Sequence, residues 1–150
     1  MLKFKLLIIA SLIITTTCFA ENGLISVKSN HDVNKTTKNL LNALEQKGMT
    51  IFDTINHQQG AKKVEKELRP TTVVIFGNPK IGTPLMQCAQ SIAIDLPQKA
   101  LIWEDAEGQV WYSYNDPQYL AKRHNMTGCE IILTKVTNAL ANFANIATGE

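Results

Sequence analysis

Residues 71–97 read TTVVIFGNPKIGTPLMQCAQSIAIDLP, and the architecture of the chain hangs on how this run divides. Thr71 to Phe76 is β-branched and apolar, which marks a strand near the centre of a sheet. Gly77-Asn78-Pro79-Lys80 must then turn, because proline offers no ladder donor and blocks a helix interior. Thr83-Pro84 reads as an N-cap followed by the first helical position. The short helix it opens carries Leu85, Cys88, Ala89 and Ile92 on one face. Asp95-Leu96-Pro97 is its exit, with Pro97 holding its predecessor extended.

Upstream, Gly23 to Ser29 alternates as a first strand. Asp32 is a good N-cap, and Val33, Thr37, Leu40, Leu41 and Leu44 recur at helical spacing as a core stripe that Gly48 ends. Met49 to Ile55 returns to a period near two, a second strand. Asn56 to Lys63 is polar, and a short helix is expected to run on through Val64 and Leu68 until Pro70. Downstream, Lys99–Trp103 and Gln109–Tyr114 flank the acidic turn Glu104-Asp105-Ala106-Glu107-Gly108, a hairpin. Asp116-Pro117 opens a helix through Tyr119, Leu120 and His124. Thr127 and Glu130 have capping-box spacing, and Ile132, Val136, Leu140 and Phe143 continue as a long apolar stripe. This order implies an α+β two-layer domain, with a mainly antiparallel sheet covered on one face by helices. The hairpin argues against a purely parallel doubly wound sheet.

Residues 1–20 stand apart. Lys3 and Lys5 precede an apolar run, Leu6 to Ile14, and Cys18-Phe19-Ala20 ends on a small residue, the pattern of a secretory signal peptide cleaved after Ala20. The run is shorter than the roughly 20 apolar residues that span a bilayer. The remaining 21–150 is expected to be one domain, periplasmic or secreted, with no membrane attachment after cleavage. Losing Lys3 and Lys5 leaves thirteen basic against thirteen acidic residues, so the formal charge of +2 falls to zero. A neutral surface with acidic residues beside its aromatics argues against nucleic acid as a partner. Cys88 and Cys129 are the cysteines of this domain. Two readings stay open: a disulfide closing a loop of about 40 residues, worth about 3 to 4 kcal/mol by chain entropy, or buried free thiols.

Phe76-Gly77-Asn78-Pro79-Lys80, then Gly82-Thr83-Pro84-Leu85-Met86, carry a resemblance that extends over Asp95-Leu96-Pro97, Trp103-Glu104-Asp105 with Gly108, Tyr114, Asp116-Pro117 and Tyr119-Leu120. His124 and the upstream Asn56-His57 belong to the same pattern. Together they resemble the family called domain of unknown function 302, from Gly23 to about His124. The resemblance implies a compact α+β domain with a helix-covered antiparallel sheet. It implies no reaction, cofactor or catalytic residue, and it does not place Cys88 or Cys129.

Candidate chemistry gathers in four places. The Gly77–Gly82 loop, with Asn78 and with Thr83 as helix cap, presents backbone N–H groups suited to an anionic ligand, although it has no Walker or dinucleotide signature. His57, Asp95, Tyr114 and His124 would support acid–base work if they converge. His124, Met126 and Cys129 offer the imidazole, thioether and thiolate that suit copper or haem iron, but without the spacing of an established metal motif. Cys129, in the first turn of a helix, has geometry for a depressed thiol pKa but no identified base. The leading expectation is a small exported domain that binds a small ligand or protein partner in a cleft near Gly77–Pro84. The alternatives are an enzyme using His/Asp acid–base chemistry, a copper- or haem-handling protein, and a homodimeric interaction module built on the Trp103, Trp111, Tyr112 and Tyr114 hairpin.

Overall fold

The computed structural model describes residues 22–149. The signal segment expected over 1–20 and its cleavage point lie outside the described residues.

The elements follow in the order β1 Leu24–Lys28, α1 Val33–Gln46, β2 Thr50–Asn56, α2 His57–Lys63, β3 Thr71–Gly77, α3 Pro79–Cys88, a 3-10 turn Gln90–Ile94, β4 Gln98–Glu104, β5 Val110–Asn115, α4 Pro117–Arg123 and α5 Glu130–Thr148. The strands form one antiparallel sheet in the order β1-β5-β4-β3-β2. This is the expected α+β class, and the β-branched run of β3 lies inside the sheet, between β4 and β2.

Alternation decides which residues face the core. Val74 and Phe76 on β3, Ala100 and Ile102 on β4, and Tyr112 and Tyr114 on β5 are all buried. Their registers put them on one face: Val74 opposite Ala100, Ile102 opposite Tyr112. Helices α1 and α5 cover that face and pack against each other. From α1 come Val33, Leu40 and Leu44; from α5 come Val136, Leu140 and Phe143. Each fully buried side chain of this size contributes about 1.5–3 kcal/mol relative to exposure, so these two stripes hold the layers together. Phe76 and Phe143 meet edge to face, with ring centroids 6.0 Å apart. On the outer face lie Val73, Leu101, Trp103 and Trp111, half-buried without a helical cover from α1 or α5.

Caps and backbone turns set the helix boundaries, and they correct five expectations. Asp32 and Asp116 cap α1 and α4 as expected, accepting from Lys35 N and Gln118 N. The Gly77–Lys80 run, expected to be a turn, instead starts a helix: Asn78 Oδ1 accepts from Lys80 N at 2.9 Å and Pro79 takes the first helical position. Thr83 is therefore not a cap, and Pro84 lies inside α3. Proline at that point leaves the Lys80 carbonyl without its helical donor, which solvent can supply because Lys80 is exposed. The helix ends at Cys88, so Ala89 is extended and Ile92 belongs to the 3-10 turn. α2 likewise stops at Lys63 and does not reach Val64 or Leu68, because Glu65 turns left-handed at φ 55°. Finally, Thr127 caps nothing: Cys129 holds the N-cap position of α5 and makes no side-chain cap bond.

Candidate functional site

Where α3 leaves the end of the sheet it meets α5 along only part of its length. Between them is a cleft of about 600 Å³, within the roughly 300–1,000 Å³ range of small-molecule sites. Its floor is Phe76 and Gly77 at the end of β3 with Gln98 at the start of β4. One wall is α3, through Pro79, Ile81, Gly82, Leu85 and Met86. The opposite wall is α5, through Val136, Ala139, Leu140 and Phe143. Met49 just before β2, Phe52 within it, and Ala93, Leu96 and Pro97 after α3 complete it. A register irregularity between Ile51 and Asp53 lies at Phe52, which is 56% exposed despite its size. The lining is predominantly apolar, and its polar side chains are few: Lys47, Asn78, Thr83, Gln98, Lys135 and Asn142.

Gln98 is the informative one. It is only 9% exposed, yet among the described residues its amide makes no hydrogen bond, and the cleft is where it faces. Asn78, by contrast, spends its oxygen on the α3 cap. The other amide of the lining, Asn142, is exposed on α5.

Two ties hold the α3 wall in place. Cys88, the last residue of α3, is disulfide-bonded to Cys129 at the start of α5, with Cα atoms 6.4 Å apart. This closes the question left by the sequence in favour of the disulfide and removes Cys129 as a free thiolate, whether as nucleophile or as metal ligand. The second tie is polar. Asp95 Oδ2 lies 2.6 Å from His124 Nε2, and Asp95 Oδ1 accepts from Arg123 Nη1 at 3.1 Å. Ser91 Oγ lies 3.0 Å from His124 Nδ1. A neutral imidazole satisfies both contacts with its proton on Nε2, facing the carboxylate, and Nδ1 accepting from the hydroxyl. The Asp95 and His124 side chains are 13% and 7% exposed. Nearby, Lys99 Nζ donates to the carbonyls of Asp95 and Pro97, fixing the chain as it enters β4 through the cis Leu96–Pro97 peptide.

Of the residues singled out in the sequence, the structure brings Gly77, Asn78, Gly82 and Thr83 together along the cleft, and Asp95 with His124 beside it. His57 and Tyr114 join neither group. His57 begins α2 and is exposed, whereas Tyr114 is buried among core residues, where burial and the neighbouring Asp116 carboxylate push its phenol pKa up. Tyr112 is buried more deeply, its hydroxyl unpartnered among the described residues, and burial pushes its pKa up strongly. Met126 packs against the core, and among the described residues no three histidine, cysteine, aspartate or glutamate side chains cluster as metal ligands. Ser91, Arg123, Gln98 and the whole α5 wall were not singled out as site residues. Ser91 lies 33 residues from its partner His124, a separation that leaves no local signal.

The arrangement of serine, histidine and carboxylate resembles a nucleophile–base–orienter relay. None of the three lines the cleft, and Ser91 stands exposed on the 3-10 turn. What the geometry performs is mechanical: it fastens the segment after α3 to the end of α4.

Comparison with known proteins places this fold. The fluoride-specific ion channel FluC 1 of Brucella suis biovar 1 (strain 1330) is 43% identical over 106 residues, covering 71% of this chain and 42% of that protein. Fluoride-specific ion channel FluC 2 of Brucella melitensis biotype 1 is also 43% identical over 106 residues, 39% of its length. The chain thus spans about two fifths of the length of the curated relatives it matches. The crystal structure of an uncharacterized conserved DUF302 protein from Bacillus stearothermophilus superposes with a TM-score of 0.75, covering 83% of this chain and 98% of that one. At 16% identity it is a likeness of fold. Residues 25–144, from within β1 to within α5, match Domain of unknown function DUF302, and the chain belongs to that family.

Proposed function

We propose that this domain binds a small, mainly apolar molecule in the cleft between α3 and α5. One observation carries the reading: a space of about 600 Å³ is lined mainly by Phe, Met, Leu, Ile and Pro side chains. Apolar walls left facing water are unfavourable by about 25 cal/mol per Å², so a ligand that covers them gains what the fold forgoes. The disulfide and the Asp95–His124 tie support the same reading, since they brace the wall that a ligand would press against.

The domain acts outside the cytoplasm in this proposal. The leader-like residues 1–20 and the Cys88–Cys129 bridge support export, because such bridges persist in oxidising compartments. None of the described helices is long and apolar enough to cross a membrane. The Brucella names describe longer proteins, and the proposal for this chain rests on its cleft.

The test is a titration with N-phenyl-1-naphthylamine, an uncharged dye that brightens in apolar surroundings. The domain is expected to bind it saturably with one-to-one stoichiometry. Ala139 is exposed on the α5 wall, so Ala139→Trp is expected to fill the cleft and abolish the signal while leaving the fold intact. Undiminished dye binding by a folded Ala139→Trp protein would refute the site.

A further inference from the structure

The charge of the cleft is one-sided. Lys47 and Lys135 are the ionisable side chains of its lining; no aspartate, glutamate or histidine shares it. Both lysines are exposed, and neither forms an ion pair among the described residues. They come from different elements, Lys47 from the end of α1 and Lys135 from α5, and the fold brings both to one apolar space. The net charge of residues 21–150 is formally zero, so this is a local feature and not the reflection of a basic protein. Gln98 lines the same space, and its amide makes no hydrogen bond within the described residues, which leaves it free to meet a ligand oxygen.

From these observations we infer that the cleft selects an anionic amphiphile: a hydrocarbon body with one carboxylate or phosphate head. The inference rests on the reading of the cleft as a binding site and adds the class of its ligand. The body covers Phe76, Leu85, Met86, Leu140 and Phe143. An oxygen of the ligand accepts from the Gln98 amide. Lys47 and Lys135 balance the head-group charge while remaining in water, where they retain most of their hydration. A neutral hydrocarbon would displace solvent from the Gln98 amide without replacing its hydrogen bonds, and a cationic amphiphile would meet like charge with no carboxylate in the lining to offset it.

The experiment compares laurate, dodecyl phosphate, dodecanol and dodecylamine as displacers of bound N-phenyl-1-naphthylamine, each below its micellar concentration. Two exposed ion pairs of ordinary strength predict that laurate or dodecyl phosphate outcompetes dodecanol by about tenfold at low salt. That margin is expected to shrink in molar salt, where the screening length falls to about 3 Å. The Lys47→Gln/Lys135→Gln protein is expected to bind laurate no better than dodecanol, and Gln98→Leu is expected to weaken the anions selectively. Whichever anion wins assigns the head as carboxylate or phosphate, and either supports the inference. Equal affinities across the series, tighter binding of dodecylamine, or an anion preference that survives loss of both lysines would overturn it while leaving the cleft as a site. Failure of the dye itself to bind would refute the underlying reading instead.

Discussion

Removing the Cys88–Cys129 bridge gives the sharpest stability prediction. The bridge joins residues 41 positions apart and links the last residue of α3 to the N-cap of α5. Opening a loop of that length restores denatured-state freedom worth about 4 kcal/mol at 25 °C by the chain-entropy relation. Domains of this size have net stabilities of about 5–15 kcal/mol, so the loss is a large fraction of the whole. With a urea slope of about 2 kcal/mol/M, the unfolding midpoint is expected to fall by about 2 M. The assay is urea denaturation of the Cys88→Ala/Cys129→Ala protein followed by circular dichroism, beside the wild type with and without dithiothreitol. Reduced wild type should track the variant. Because the bridge also pins one wall of the cleft, dye affinity in the absence of urea is expected to drop in the variant. Stabilities of variant and oxidised protein within about 0.5 kcal/mol, the range of an ordinary surface substitution, would refute the reasoning.

Four further outcomes follow from particular contacts. Phe143→Ala removes a buried ring that packs edge to face on Phe76 and is expected to cost about 3–5 kcal/mol by urea denaturation. His124→Ala leaves the nearly buried Asp95 carboxylate without its 2.6 Å partner and is expected to cost about 1.5–3 kcal/mol, whereas Ser91→Ala, at an exposed position, should stay within about 0.5 kcal/mol; equal losses would contradict the tie. Asp105 accepts from Trp111 Nε1, Gln109 N and Glu107 N, and the Trp111 bond above all holds its carboxyl pKa below the ordinary value. The folded state thus favours the charged form: the contribution is present above the unfolded pKa and is lost as pH falls through the lowered folded pKa, so Asp105→Asn should flatten the acid side of the stability profile. Tyr112 and Tyr114 have phenols pushed above their ordinary value, chiefly by burial, so their stabilising effect is lost as pH rises past that range; their tyrosinate absorbance should appear together with loss of circular dichroism.

Most of the sheet was legible because alternation is a strong local signal. Val74, Phe76, Ile102, Tyr112 and Tyr114 declare a common face within a few residues of sequence, and the Asp-Pro and acidic-glycine signals set the ends of α4 and the hairpin. The start of α3 was harder to read, because Asn78-Pro79 and Thr83-Pro84 both spell a cap followed by proline. The first wins because Asn78 caps directly after β3, and the cost at Pro84 is modest where the orphaned carbonyl belongs to exposed Lys80. Half of the cleft was legible in the Gly77–Pro84 loop. The other half lies on α5, where Lys135, Ala139 and Asn142 flank an apolar stripe that reads as ordinary core packing. Only the placement of α5 against α3 turns that flank into a wall. The Asp95–His124 pair needed the same tertiary information, since its members lie 29 residues apart on different elements.

The measurement that tests the central claim most directly is amide chemical-shift mapping of the labelled domain during titration with laurate. The account predicts saturable shifts along 76–86 and 135–143 with Gln98, and little change at Trp103 or Trp111 on the outer sheet face. Shifts gathered on that outer face, or none at saturating laurate, would contradict it.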